Sequence, residues 1–168
     1  MPIELNLLQN RGMTHRFLKF LLVPAALSLN LLGAGPASAG LGDDAASVLS
    51  DTYALQGTLH TTLLLQYDLH EITTDSGMRI REFVNRSGTV FAVTWSGPVM
   101  PDLQQLLGAN FAAYVNAVAA SQQTGLRRSL RIATSDLVVE SAGHMRAYQG
   151  RAYLPALVPS GTNVSELR

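Results

Sequence analysis

Cysteine is absent from the 168 residues, which excludes thiol nucleophiles, thiolate metal sites, dithiol redox chemistry and disulfide staples. Lysine is nearly absent too: Lys19 is the only one. From Gly40 onward there are nine arginines against eleven carboxylates, a balance of −2. A nucleic-acid binder carries a basic excess, so the expectation is no nucleic acid. Histidines are few (His15, His60, His70 and His144), and none stands in an HExxH or similar ligand-spaced motif. A G-x-S-x-G nucleophile elbow and a phosphate-cradling glycine loop are missing as well. The sequence therefore calls for no cofactor and no metal.

Residues 1–39 carry an address. Arg11, Arg16 and Lys19 precede the apolar run LLVPAALSLNLLGAG, and Ala37-Ser38-Ala39 follows it. This is the pattern of a secretory signal peptide with cleavage before Gly40, and Met13 is an alternative start. The run is too short for a transmembrane helix and is interrupted by Pro24, Asn30 and Gly33, so no transmembrane segment is expected after cleavage. The expected location is the periplasm or the cell surface. Residues 40–168 are long enough to fold around a hydrophobic core without disulfides.

Within 40–168 the periodicity predicts one α+β domain with a short C-terminal tail. DDAASVLSDTYALQG (43–57) reads as a short N-terminal helix capped by Asp43 or Asp44, with Val48, Leu49, Tyr53 and Leu55 as its apolar contacts. Five strand-like runs follow, YDLHEITT, MRIREFV and TVFAVTWS, then DLVVE and HMRAYQ. DSG (75–77), RSG (86–88) and SAG (141–143) separate them. Each segment ends in glycine, as a three-residue hairpin loop with a left-handed last residue requires. Between the two β regions, 101–125 has Leu103, Leu106, Leu107, Phe111, Tyr114, Val115 and Val118 at helical spacing. One long amphipathic helix is expected there, starting at Pro101-Asp102 and ending at Gly125, with a close neighbour at Gly108. The predicted architecture is an antiparallel sheet of hairpins, about five strands, covered on one face by this helix. Phe91, Val93 and Trp95 are its expected core.

The densest segment is SAGHMRAYQGRAYLP, 141–155. A loop at Ser141–Gly143 puts Glu140 opposite His144, either as a cross-strand ion pair or as a tuned general acid or base. A turn at Gln149-Gly150 instead stacks two Arg-Tyr pairs, Tyr148 on Arg151 and Arg146 on Tyr153; a bulge at Gly150 in one strand is the third construction. Arg146, Tyr148, Arg151 and Tyr153 then form a ladder suited to an anionic or carbohydrate partner. In the first hairpin, a loop at 75–77 pairs Glu71 with Arg81 and His70 with Glu82. His70, Asp68 and Glu82 are at most a weak metal site and read better as solvated strand charges. Arg127, Arg128 and Arg131 are placed to neutralise the carboxyl end of the long helix.

The runs GHMRAYQGRAYLPALVP and VFAVTWSGPVMPDLQQLLG and the DDAASV start resemble a family of short exported proteins of Gram-negative bacteria, the domain of unknown function 2844. The resemblance spans about Leu41 to Arg168. It implies an exported protein and brings no activity, ligand or site residue with it. The sequence thus reads as a non-catalytic binding or accessory protein whose partner is an envelope protein or polymer. The alternatives are an envelope hydrolase using His144 with Glu140, and a structural subunit of a surface assembly, which a long unprotected edge strand would betray.

Overall fold

The computed structural model describes residues 40–121 and 129–167. Residues 1–39, read above as a signal peptide, lie outside them, as do Gly125, Arg127 and Arg128. The elements in chain order are α1 (Ser47–Ala54), β1 (Gly57–Leu63), β2 (Tyr67–Thr74), β3 (Arg79–Asn85), β4 (Val90–Gly97), α2 (Leu103–Leu107), α3 (Phe111–Ala120), β5 (Ser129–Ala133), β6 (Val138–His144) and β7 (Ala147–Tyr153). Short 3-10 turns occupy Gly108–Asn110, Pro155–Leu157 and Val164–Glu166.

The strands form one antiparallel sheet in the order β1-β2-β3-β4-β7-β6-β5. It has seven strands where about five were expected. The additional two, β1 and β5, are the edges. Their side chains are mostly exposed; β1 shows little apolar alternation, and that of β5, with Leu130 and Ile132 inward, lasts only five residues.

Two of the three predicted glycine turns form as expected. Gly77 and Gly88 have φ of 81° and 83°, and the 75–77 loop sets Glu71 against Arg81 and His70 against Glu82. The third does not. Gly143 lies within β6 opposite Tyr148, and the chain reverses at Met145-Arg146, with Arg146 at φ 65°. Glu140 consequently faces Arg151, while His144 faces Ala147. Gly150 is no turn either. It sits in mid-β7 opposite Trp95, and a Cβ there would lie 2.2 Å from Trp95 Cζ2. Both glycines serve close approach rather than left-handed backbone.

The long helix is likewise corrected. At Gly108 the backbone turns to φ 51°, ψ −127° and packs against Gly40, whose Cβ, were there one, would fall 2.7 Å from Gly108 Cα. The helix therefore divides into α2 and α3. Asp102 caps α2 by accepting from the backbone N–H groups of Gln104 and Gln105. Leu106 and Leu107 of α2 are buried against the sheet, whereas α3 has no buried residue; Phe111 and Tyr114 only flank the core. α1 begins at Ser47 rather than Asp43. Val48 and Asp51 face inward, while Leu49 and Tyr53 point out.

Both faces of β4 are covered. On the helix side Ile72, Ile80, Val93, Trp95, Val139 and Ala152 pack beneath Leu41, Leu106 and Leu107. On the other side Phe83, Phe91 and Ala92 pack with Tyr67, Tyr153, Leu157, Val158, Val164 and Leu167. The C-terminal segment is thus a cover over the second face rather than a tail. Phe91, Val93 and Trp95 are all buried, but Phe91 joins the second cluster, next to a register shift between Phe83 and Val84. Its ring and that of Phe83 meet the edge of Tyr67 at centroid separations of 5.8 and 5.6 Å.

The fit of Trp95 on Gly150 predicts the effect of one added methyl. Gly150→Ala should lower the unfolding free energy by about 1–3 kcal/mol through overpacking, read as a lower urea midpoint with an unchanged slope.

Candidate functional site

On the second face, cross-strand pairing lines up one polar row across all seven strands: His60, Glu71, Arg81, Thr94, Arg151, Glu140 and Arg131. Directly opposed residues share a face, so this register alone places seven polar side chains on one surface. Arg81 Nε donates to Glu71 at 2.5 Å and Arg79 Nε is 3.6 Å from the same carboxylate. On the other flank Arg151 Nε and Nη2 lie 2.7 and 2.6 Å from Glu140 Oε2, and Arg131 Nη1 lies 3.2 Å from its Oε1. Arg151 Nη1 also donates to the Val164 carbonyl at 2.6 Å, tying the C-terminal cover to the row. Buried Thr94 stands between Arg81 and Arg151.

An open groove of about 770 Å³ runs over this surface, lined by Arg81, Thr94, Arg131, Glu140, Arg151 and Ser165 among others. Three guanidinium groups border it against one carboxylate. Each carboxylate fixes guanidinium planes by hydrogen bonds, so the arginines are held in place before any ligand arrives. Such a floor suits carboxylate, sulfate or phosphate groups, with hydroxyls meeting the threonine and serines.

The sequence-predicted site residues separate. Glu140 is engaged by Arg131 and Arg151, and lies four residues along β6 from His144, roughly 13 Å at strand rise. His144 is exposed at the hairpin end, its Nδ1 3.3 Å from the Met145 carbonyl, beside a second open cleft of about 670 Å³. Arg146 occupies the turn. Tyr148, opposite Gly143 and Gly97, projects from the helix-side face, whereas Arg151 and Tyr153 project from the second. The four-residue ladder and the stacked Arg-Tyr pairs therefore do not form. Arg151 remains in the site, and Tyr153 packs at its margin in the second core cluster. Arg81 was legible as the partner of Glu71 across the 75–77 loop; its place in the groove, and that of Thr94, come from neighbours distant in sequence.

His70, Asp68 and Glu82 are not gathered for a metal, and among the described residues no group of three or more potential ligands is. Asp68 pairs with Arg86 at 2.8 Å, and His70 Nδ1 contacts Thr61 Oγ1 at 2.9 Å. Burial lowers the His70 pKa against the opposing charge of Asp68. Glu82 faces inward, buried together with Asp51 of α1, which Gln105 Nε2 contacts at 3.2 Å. Burial first, then the hydrogen bond with Asp51 and the charge of Asp51, push the Glu82 pKa up to about 9. The pair thus holds a proton at neutral pH, which makes one carboxyl a donor to the other.

This sharing fixes a pH dependence. Between about pH 4.5 and 9 the unfolded chain has released the Glu82 proton while the folded chain keeps it, so stability falls as pH rises through that window. Glu82→Gln retains the hydrogen-bonding shape without the proton. Its thermal midpoint should decline less than that of the natural chain between the two ends of the window.

The profile of the family described as a protein of unknown function (DUF2844) matches residues 37–167. No curated protein and no solved structure matches the chain. The match takes in every described strand and helix and the whole polar row, and on that extent the chain belongs to the DUF2844 family.

Proposed function

We propose that the protein is an exported, non-catalytic accessory protein of the bacterial envelope, and that it holds an anionic polymer in the groove over its second sheet face. The observation that carries this reading is the convergence of Arg81, Arg131 and Arg151 on one open groove, with Glu71 and Glu140 orienting them and Thr94 between two of them. Export rests on the signal-like segment before Gly40. The mixture of guanidinium groups with Thr94, Ser129, Gln149 and Ser165 along the groove matches a polymer that alternates acidic groups and hydroxyls, as a chain of sugar acids does. A surface whose charges are already paired favours a repeating, multi-point ligand over a single tightly held ion. Each point then adds a modest increment.

A hydrolase built on His144 with Glu140 lacks the necessary contact. Proton transfer demands hydrogen-bond reach between base and reacting group, and Glu140 is committed to two arginines instead.

Oligogalacturonate is a direct probe. Titration calorimetry of the purified chain should register binding that weakens as salt rises, and neutral dextran of the same length should give none. Arg131 is 72 % exposed in its side chain, so Arg131→Glu removes a groove charge without opening the core. It should reduce affinity about tenfold, the equivalent of roughly 1.4 kcal/mol. Equal affinity in Arg131→Glu, or equal binding of dextran, would sink the groove as an anionic-polymer site.

A further inference from the structure

We infer that the β1 edge is a docking surface for a second copy of this chain, with two β1 strands pairing antiparallel about a twofold axis. This goes beyond the groove and does not depend on it.

The two edges of the sheet differ. β5 carries Arg131 at its centre, and α3 packs against it. β1 carries no charge, proline or bulge and is not short, and α1 packs on it from the helix-side face, where Val48 meets Val84, Val90 and Leu59. Its seven residues read GTLHTTL, and the register with β2 runs without interruption from Gly57 to Leu63. Leu64 and Leu65 follow, so 57–65 contains no charged residue and no proline.

Apolar surface gathers at this edge. Of the nine large apolar residues left exposed among the described residues, Leu63 ends β1, Leu64 and Leu65 follow it, and Leu49 and Tyr53 lie one turn apart on α1, which packs against β1. Leu65 is 93 % exposed and Tyr53 81 %. The leucine loop is held outward: Arg86 donates to the carbonyls of Leu64 and Leu65 while its other nitrogen pairs with Asp68. Five exposed apolar side chains beside an unpaired edge supply the hydrophobic area that a strand ladder alone would lack.

The identity of the occupant follows from charge and symmetry. In a twofold antiparallel pair each β1 residue meets another residue of the same strand. A charged edge would then face its own charge, as Arg131 would on β5. β1 offers only glycine, threonine, leucine and histidine, so its copy meets no arginine, lysine, aspartate or glutamate facing its own kind. The sheet is antiparallel throughout, and a β1–β1 pair continues it in the same sense, using the outward backbone N–H and C=O groups of both strands.

The test uses the purified chain and its lack of cysteine. Light scattering on a sizing column, at about 100 μM so that even a micromolar dimer is populated, should give twice the chain mass. Thr62→Lys, which sets a positive charge on each copy of the edge, should return it to the monomer, with an unchanged far-ultraviolet circular dichroism spectrum and a thermal midpoint that no longer rises with chain concentration. Single cysteines at His60, Thr61 and Thr62 give a second readout should Thr62→Lys not fold. At least one of them should form an intermolecular disulfide under mild oxidation, while Arg131→Cys on the opposite edge should not. A monomeric mass with no crosslink at any of the three overturns the proposal. So does a dimer that persists in Thr62→Lys, or one that crosslinks through Arg131→Cys.

Discussion

The indole of Trp95 lies on the bare backbone of Gly150, and this contact sits on the seam between two meanders. Strands β1 to β4 arrive from one side and β7, β6 and β5 from the other, and β4 pairs with β7 where Trp95 opposes Gly150. A Cβ at Gly150 would fall 2.2 Å from the ring, so the contact disfavours any register that sets a larger residue against Trp95. Because strand side chains alternate with a period of two, a slip by one residue would send the polar row into the helix-covered core and the core onto the open face. Trp95 is buried, and among the described residues its Nε1 has no hydrogen-bond partner, a polar cost that the burial of so large an apolar ring offsets.

From that register the electrostatics of the second face follow. Thr94 is opposite Arg151 because Trp95 is opposite Gly150, and the flanking hairpins then bring Glu140 and Glu71 to the two arginines. On the helix-side face the buried Asp51–Glu82 pair joins α1 to β3 and is tolerated by retaining a proton. By register His70 and Asp68 share that face, His70 against Thr61 and Asp68 paired with Arg86.

Legibility in the sequence tracked how local the deciding force was. The 75–77 and 86–88 turns were readable because a left-handed glycine closes each hairpin within a few residues. Gly143 and Gly150 looked the same and were not. Tyr148 and Trp95, approaching from other strands, need their missing side chains, and nothing nearby in the chain announces it. Arg146 adopts the left-handed turn that Gly143 was expected to supply. Gly108 was readable as a point of close approach, yet its non-helical backbone against Gly40 was not visible in an apolar stripe that continues past it. The edges escaped notice because β1 is mostly exposed and polar and the alternation of β5 spans only five residues.

By itself the sequence determined the family, the α+β class, the positions of the first two hairpin turns and, in the first hairpin, the pairing of Glu71 with Arg81. Each of these is encoded in contiguous residues, through turn chemistry, periodicity or a run long enough to be distinctive. Tertiary structure alone decided that Glu140 serves Arg151 and Arg131 rather than His144, that Tyr148 and Arg151 part to opposite faces, and that the C-terminal segment closes over the second core. These depend on which strands become neighbours, and that choice is made by packing between side chains far apart in the chain, where spacing in sequence carries no information about distance in space.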